Sequence, residues 1–250
     1  MTARGGIALA QSAAGRADLR VEIEPVNVLD AASLGEIARL VRGARSARLI
    51  VLTGLPRAFS AGVDVAEHAP EPAPIERMLA AMRDALTALV ESPAVTLAAV
   101  SGACLGGGAE IALACDLVLV AEDARVGFPE IRLACFPPGA AALLPGRIGE
   151  ARAAEWILSG RVFSGKEATE AGFASRAVPA GRLAAETDRL AESLLETGPA
   201  ALSAALGLLR ADRREALATR LPAAEAAYRA LAGDPDLARA VREFGKRGQP

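Results

Sequence analysis

The feature that most constrains this chain is a glycine cluster, Gly102-Ala103-Cys104-Leu105-Gly106-Gly107-Gly108, between two apolar runs, Val95 to Val100 and Leu117 to Val120. Both runs have the length of strands buried on two faces, and Glu110 to Ala114 between them reads as a short helix. Strand, loop, helix, strand is a βαβ signature, which implies a parallel sheet covered by helices. Successive glycines at a helix N-terminus leave backbone N–H groups uncovered, so an oxygen that gains negative charge can approach them closely. The same glycines also suit a tight helix entry with close packing, and the cluster alone leaves both readings open. It is not GxGxxG, so a dinucleotide site has little support.

The rest of the chain fits one α/β core. Leu19, Val21 and Ile23 alternate as a strand, Asp30 is placed to N-cap a helix through Val41, and Arg48 to Thr53 reads as a strand buried on both faces. A Gly/Pro-containing loop is expected from Gly54 to Pro74. A helix then follows on Ile75, Met78, Leu79, Met82, Leu86, Leu89 and Val90, stopped by Ser92-Pro93. Ser164 and Glu167 form a capping box, with Gly172 closing that helix. From Gly181 onward only helical periodicity remains, punctuated by Gly198-Pro199, Leu221-Pro222 and Gly233-Asp234-Pro235, which predicts several short helices. A length of 250 residues, with no linker long enough to separate domains, fits one compact domain or one domain with a helical appendage.

Composition removes several functions. A net charge of −2 offers no field for a polyanion, and 3% aromatic residues supply few stacking platforms, so nucleic-acid binding is disfavoured. The 52% apolar content excludes disorder. Cys104, Cys115 and Cys135 match no zinc, redox or disulfide spacing and read as small buried hydrophobes. With His68 as the single histidine there is no multi-histidine metal site, and no GxSxG is present for it to serve. Gly160-Arg161-Val162-Phe163-Ser164-Gly165-Lys166-Glu167 nearly matches a P-loop, but Glu167 stands where the Mg²⁺-binding hydroxyl is needed. The apolar stretch Ile7 to Ala10 is too short for a secretory signal, and Pro93 to Ala109 runs into Glu110 and Asp116. A cytoplasmic protein without a membrane span is the expectation.

A second loop, Phe59-Ser60-Ala61-Gly62-Val63-Asp64, directly follows the buried strand ending at Thr53, and two such loops could form a two-donor oxyanion hole. "AFSAGVDV", followed by "SGACLGGGAEIALACDLVLVAEDARVGFPEIRL" and "LSGRVFSGKEATEAGFASRAV", closely resembles the enoyl-CoA hydratase/isomerase, or crotonase, superfamily. The resemblance covers nearly the whole chain. It implies an α/β spiral of ββα repeats over residues 1–195, with the active site. Residues 196–250 would be a C-terminal helical region for oligomerisation and for closing the CoA site.

By the same resemblance the oxyanion donors are the backbone N–H groups of Val63 and Gly107, and the catalytic carboxylates are Glu110 and Glu130. CoA contacts fall on Arg57, Ala61, Asp64, Lys246 and Arg247. The implied activity is hydration of an α,β-unsaturated acyl-CoA to a 3-hydroxyacyl-CoA, with no metal or redox cofactor, in a homotrimer or a dimer of trimers. A cyclic dienoyl-CoA hydratase, a double-bond isomerase and a catalytically silent acyl-CoA-binding subunit are the alternatives. Two glutamates suit the hydration because adding water across a conjugated thioester needs a base for the water proton and an acid for the α carbon. Apolar neighbours and mutual repulsion should push their pKa values apart. The chain departs from the family at Pro137-Pro138-Gly139-Ala140-Ala141-Ala142, which predicts an altered acyl-pocket floor, and at Ala66, where a lysine is common.

Overall fold

The computed structural model describes residues 6–12, 14–68 and 71–247, with the side chains of residues 68 and 245–247 outside the description. In chain order the elements are β1 (Ile7–Gln11), β2 (Arg16–Val21), β3 (Val28–Leu29), α1 (Ala31–Gly43), β4 (Leu49–Thr53), β5 (Ala58–Ser60), β6 (Gly62–Val63) and α2 (Pro72–Val90). They continue with β7 (Val95–Val100), β8 (Ala103–Leu105), α3 (Gly107–Ala114), β9 (Leu117–Ala121), β10 (Arg125–Gly127), α4 (Pro138–Ile148), α5 (Glu150–Ser159), β11 (Val162–Ser164), α6 (Gly165–Ala171) and β12 (Arg176–Val178). Four helices end the chain: α7 (Leu183–Glu196), α8 (Pro199–Leu209), α9 (Ala211–Arg229) and α10 (Pro235–Arg247).

One sheet has the order β1-β2-β4-β7-β9-β12, and a second has the order β11-β10-β8-β5. From β2 to β12 every pairing in the first sheet is parallel. Successive turns of the chain therefore lay one strand in the large sheet and the next in the small one, while helices return across the outside. The continuous apolar runs follow from this. Leu49, Ile50, Val51, Leu97, Ala98, Val118 and Leu119 are buried because their strands are covered on both faces. Asp30 caps α1, its Oδ1 accepting from Ser33 N–H at 2.8 Å, and the Ser164/Glu167 capping box forms as expected. Lys166, on the near-P-loop string, pairs with Glu122 at 3.0 Å on the surface.

Two expectations need correction. The stretch 54–74 is not a plain loop: it holds β5, β6 and a 3-10 turn at Val65–His68, and α2 starts at Pro72. Three-residue strands carry too few residues for periodicity to register. Leu221-Pro222 does not break a helix, because α9 runs through Pro222 from Ala211 to Arg229. Proline forfeits one backbone bond, and α9 offsets that loss by packing on α4 and α2. Its start is pinned by Asp116, whose Oδ1 accepts from Arg210 Nε at 2.7 Å and Arg213 Nη2 at 2.5 Å. Arg210 is 1% exposed, so the C-terminal helices are anchored to β9 by a buried ion cluster.

Candidate active site

The second sheet brings the two glycine-bearing loops side by side, because β5 pairs in parallel with β8. Each glycine of the triplet faces a different neighbour. A Cβ on Gly108 would lie 2.5 Å from Ser60 Cβ, one on Gly107 would lie 2.6 Å from Val63 Cγ2 and 2.7 Å from Met82 Cε, and one on Gly106 would lie 2.7 Å from Glu130 Oε1. Real Cβ atoms do not approach so closely, so the triplet is what lets α3 start against the 60–63 loop and the Glu130 carboxylate together. Gly106 also sits at φ +51°, a conformation side chains disfavour.

This packing places two backbone donors together. Gly107 opens α3, where the first N–H groups have no intrahelical acceptor. Directly after β6 the Asp64 N–H donates to Leu29 O at 2.9 Å. Neighbouring groups along an extended strand point to opposite sides, so the Val63 N–H faces away from β3. The Val63 nitrogen lies close to Gly107, whose Cβ, if present, would stand 3.5 Å from it.

Glu110 lies one turn into α3 and is 3% exposed. Its Oε1 accepts from Ala140 N–H at 2.9 Å. Burial pushes its carboxyl up to about 7, against the lowering pull of the Ala140 and Gly139 N–H groups. Glu130 lies in a 3-10 turn, Pro129–Leu133, and its Oε2 is buried without a hydrogen-bond partner among the described residues. Burial, then the charge of Glu110, push the Glu130 carboxyl up to about 8. Two carboxyls that disfavour joint ionisation thus lie beside the start of α3, Glu110 in its first turn and Glu130 Oε1 against Gly106, an arrangement able to hold one proton and release another near neutral pH.

The remaining sequence-derived positions are dispersed. Arg57 is exposed, pairs with Glu24 and donates to Pro25 O. Ala61 N–H donates to Val26 O at 2.9 Å, and Asp64 Oδ1 accepts from Ala66 N–H at 3.0 Å, capping the 3-10 turn that follows. Lys246 and Arg247 lie at the end of α10, with side chains outside the described residues, as is that of His68. The three cysteines are buried free thiols, and among the described residues no cluster of His, Cys, Asp or Glu could hold a metal.

Sequence reasoning missed the supports. Pro137 and Pro138 lack N–H groups, so Gly139 and Ala140 carry the first donors of α4 and aim them at Glu110; the Pro-Pro-Gly string was the available signal. Asn27 is fully buried, and its Nδ2 donates to Val21 O, Ala58 O and Phe59 O, fastening the start of the first loop. No sequence pattern marked it.

A ββα spiral whose strand-end glycines expose two amides beside a carboxyl pair places the chain in the crotonase-like class. More particularly, it belongs to the enoyl-CoA hydratase/isomerase family, whose model matches residues 21–250. It is 36% identical over 158 residues to a cyclohexa-1,5-dienecarbonyl-CoA hydratase of Thauera aromatica, covering 62% of this chain and 60% of that protein, so the match spans less than two thirds of that relative's length. It is 35% identical over 202 residues to a probable enoyl-CoA hydratase of Bacillus subtilis, with 78% of each chain covered. Among solved structures, an enoyl-CoA hydratase/isomerase of Xanthobacter autotrophicus Py2 superposes with a TM-score of 0.86 at 29% identity, over 97% of this chain and 93% of that one.

Proposed function

We propose that the protein hydrates the α,β double bond of an acyl-CoA thioester to give a 3-hydroxyacyl-CoA. The observation that carries this reading is the Glu110–Glu130 pair, both raised, with Glu110 buried and Glu130 half-buried, beside the Val63 and Gly107 amides. The two N–H groups accept the thioester oxygen and stabilise it as negative charge develops. Glu110, the less raised carboxyl, takes the proton of the attacking water. Glu130, held protonated by burial and by its neighbour's charge, delivers a proton to the α carbon. Acid, base and oxyanion donors all come from the chain, so the reaction in this reading uses no metal or redox cofactor.

The quaternary reading is a homotrimer or a dimer of trimers. It is supported by α8, where Leu208 and Leu209 are 80% and 76% exposed. A cavity of about 580 Å³ beside that helix is lined by Leu143, Leu206 and Leu209 together with Arg147 and Arg213. A cytoplasmic location belongs to the same reading. Among the described residues no helix is long and apolar enough to cross a membrane, and the cysteines are unpaired.

The test is an acyl-CoA panel of straight, branched and cyclic dienoyl thioesters, with products identified, on the wild type and on Glu110→Gln and Glu130→Gln. Hydration lost by about 10²-fold or more in both variants, with CoA-ester binding retained, supports the assignment. Double-bond migration that survives Glu130→Gln would indicate an isomerase. Binding without turnover by the wild type would indicate a silent subunit.

A further inference from the structure

Two side chains meet at the start of α3. A Cβ on Gly107 would stand 2.6 Å from Val63 Cγ2, 2.7 Å from Met82 Cε and 3.5 Å from Val63 N, so the methyl tip of Met82 and the Val63 nitrogen lie on the same side of that glycine. One turn further along α2, Leu86 makes a matching contact at Gly139. A Cβ there would stand 2.7 Å from Leu86 Cδ1 and 2.9 Å from Glu110 Oε1. Positions four apart share a helix face, and both Met82 and Leu86 are buried. One face of α2 therefore walls the space beside Gly107 and beside the Glu110 carboxyl.

The helix that carries this wall is held on both flanks. Arg42 of α1 pairs with Asp84 at 2.6 Å, while on the other side Glu225 of α9 takes Arg83 at 2.5 Å and Arg229 takes Glu76 at 2.5 Å. Glu225 is buried. Moving α2 outward would take Arg83 from a buried carboxylate, which is costly, so room for an acyl group has to come from side chains. Val63 is β-branched, restricted at χ1, and fixed to β3 through β6. Methionine is unbranched, turns about three bonds and re-packs readily. Met82 is thus the adaptable member of the wall.

A thioester oxygen held by the Gly107 and Val63 N–H groups is two bonds from the α carbon. The atoms that reach Met82 are therefore those at the head of the acyl group, not those of its tail. We infer that Met82 is a specificity-determining residue that reads substitution on the first acyl carbons: its methyl tip yields to a substituent on the α or β carbon, which admits branched and ring enoyl thioesters beside straight ones. Chain length is read elsewhere. The placement of the thioester rests on the hydratase reading; the contact between Met82 and Gly107 does not.

The experiment compares the full-length wild type with Met82→Ala and Met82→Ile. It measures kcat/KM for two straight 2-enoyl-CoA esters of different length, for a short 2-methyl-branched enoyl-CoA and for cyclohexene-1-carbonyl-CoA. Calorimetry gives Kd for the corresponding saturated esters, which bind without reacting. Met82→Ala opens the wall, and we expect the branched-to-straight and ring-to-straight ratios of kcat/KM to rise about tenfold. Met82→Ile keeps the volume but is stiff at χ1, so both ratios should fall about tenfold. The long-to-short ratio of the straight esters should stay within about twofold of the wild type in each variant. Substitution ratios that do not move, or a chain-length ratio that moves as far, would overturn the inference, because a merely structural methionine changes all substrates alike. Should Met82→Ala fail to fold, the fall in the ratios with Met82→Ile decides in the same way. A wild type that turns over none of the esters sinks the hydratase reading; the Kd ratios of the saturated esters then support the inference if they shift as described and overturn it if they do not.

Discussion

Gly106 and the Glu130 carboxyl are in close contact: a Cβ at position 106 would stand 2.7 Å from Oε1 and 3.3 Å from the carboxyl carbon. The glycine is the N-cap of α3 and the glutamate lies in the 3-10 turn Pro129–Leu133, so a single close approach joins the proposed oxyanion loop to the proposed acid. Gly106→Ala would push the carboxyl out of place and add backbone strain at φ +51°. We expect a loss of about 10²-fold or more in kcat, with the far-UV circular dichroism of the wild type. Near-normal turnover in a folded Gly106→Ala protein would place Glu130 outside the chemistry.

In the proposed mechanism Val63 supplies a main-chain donor, so Val63→Ala would keep the hydrogen bond while removing bulk next to Gly107. Activity should persist with a shifted acyl preference. The check is kcat/KM across short, branched and cyclic enoyl thioesters, and an inactive but folded Val63→Ala enzyme would contradict the assignment of the amide.

If the carboxyl pair carries the chemistry as proposed, both activity and stability depend on pH through it. With Glu110 raised to about 7 and Glu130 to about 8, kcat/KM should describe a bell with limbs near those values, which belong to the pair jointly. Both folded pKa values lie above the ordinary 4.5, so between them the folded state binds more protons than the unfolded one. The pair's contribution to stability is therefore most favourable below about 4.5 and declines as pH rises through about 8. Thermal unfolding at about pH 5.5 and about pH 8.5 should show a decline in Tm that Glu110→Gln/Glu130→Gln flattens. An equal decline in that double variant would assign the effect to other groups.

Arg57 pairs through Nη2 with Glu24, a carboxylate that would compete with a CoA phosphate for the guanidinium. Arg57→Ala should raise KM for the CoA ester more than for its pantetheine thioester, while Glu24→Gln, which frees the guanidinium, should lower KM for the CoA ester alone. Both are exposed, so added salt should erase the differences. Equal penalties on the two substrates would make the arginine structural.

Leu208 and Leu209 predict the assembly surface. Leu208→Glu/Leu209→Glu should reduce the mass measured by light scattering from an oligomer toward a monomer, with helicity retained. An unchanged mass would move the interface off α8.

Much of the core was legible in the chain. Arg48 to Thr53, Val95 to Val100 and Leu117 to Val120 read as strands because burial on two faces demands uninterrupted apolar residues, and Ser164 with Glu167 announced a helix start because capping is local. The site motifs were legible for a similar reason: Gly106-Gly107-Gly108 and Ala61-Gly62-Val63 are short contiguous strings whose backbone does the work. What tertiary structure alone decided lies between strings. Three-residue strands such as β5 and β8 have no periodicity to detect and exist because a neighbour pairs with them. The Ala140 N–H reaches Glu110 across 30 residues of sequence, and where the apolar neighbours in the sequence led to an expectation of values pushed apart, burial in the fold raises both carboxyls, to about 7 and about 8. Sequence determines which backbones can approach closely, since glycine and proline act at their own positions. The charge state of Glu110 and Glu130 was left to the fold, because desolvation and repulsion depend on what surrounds a carboxyl in space.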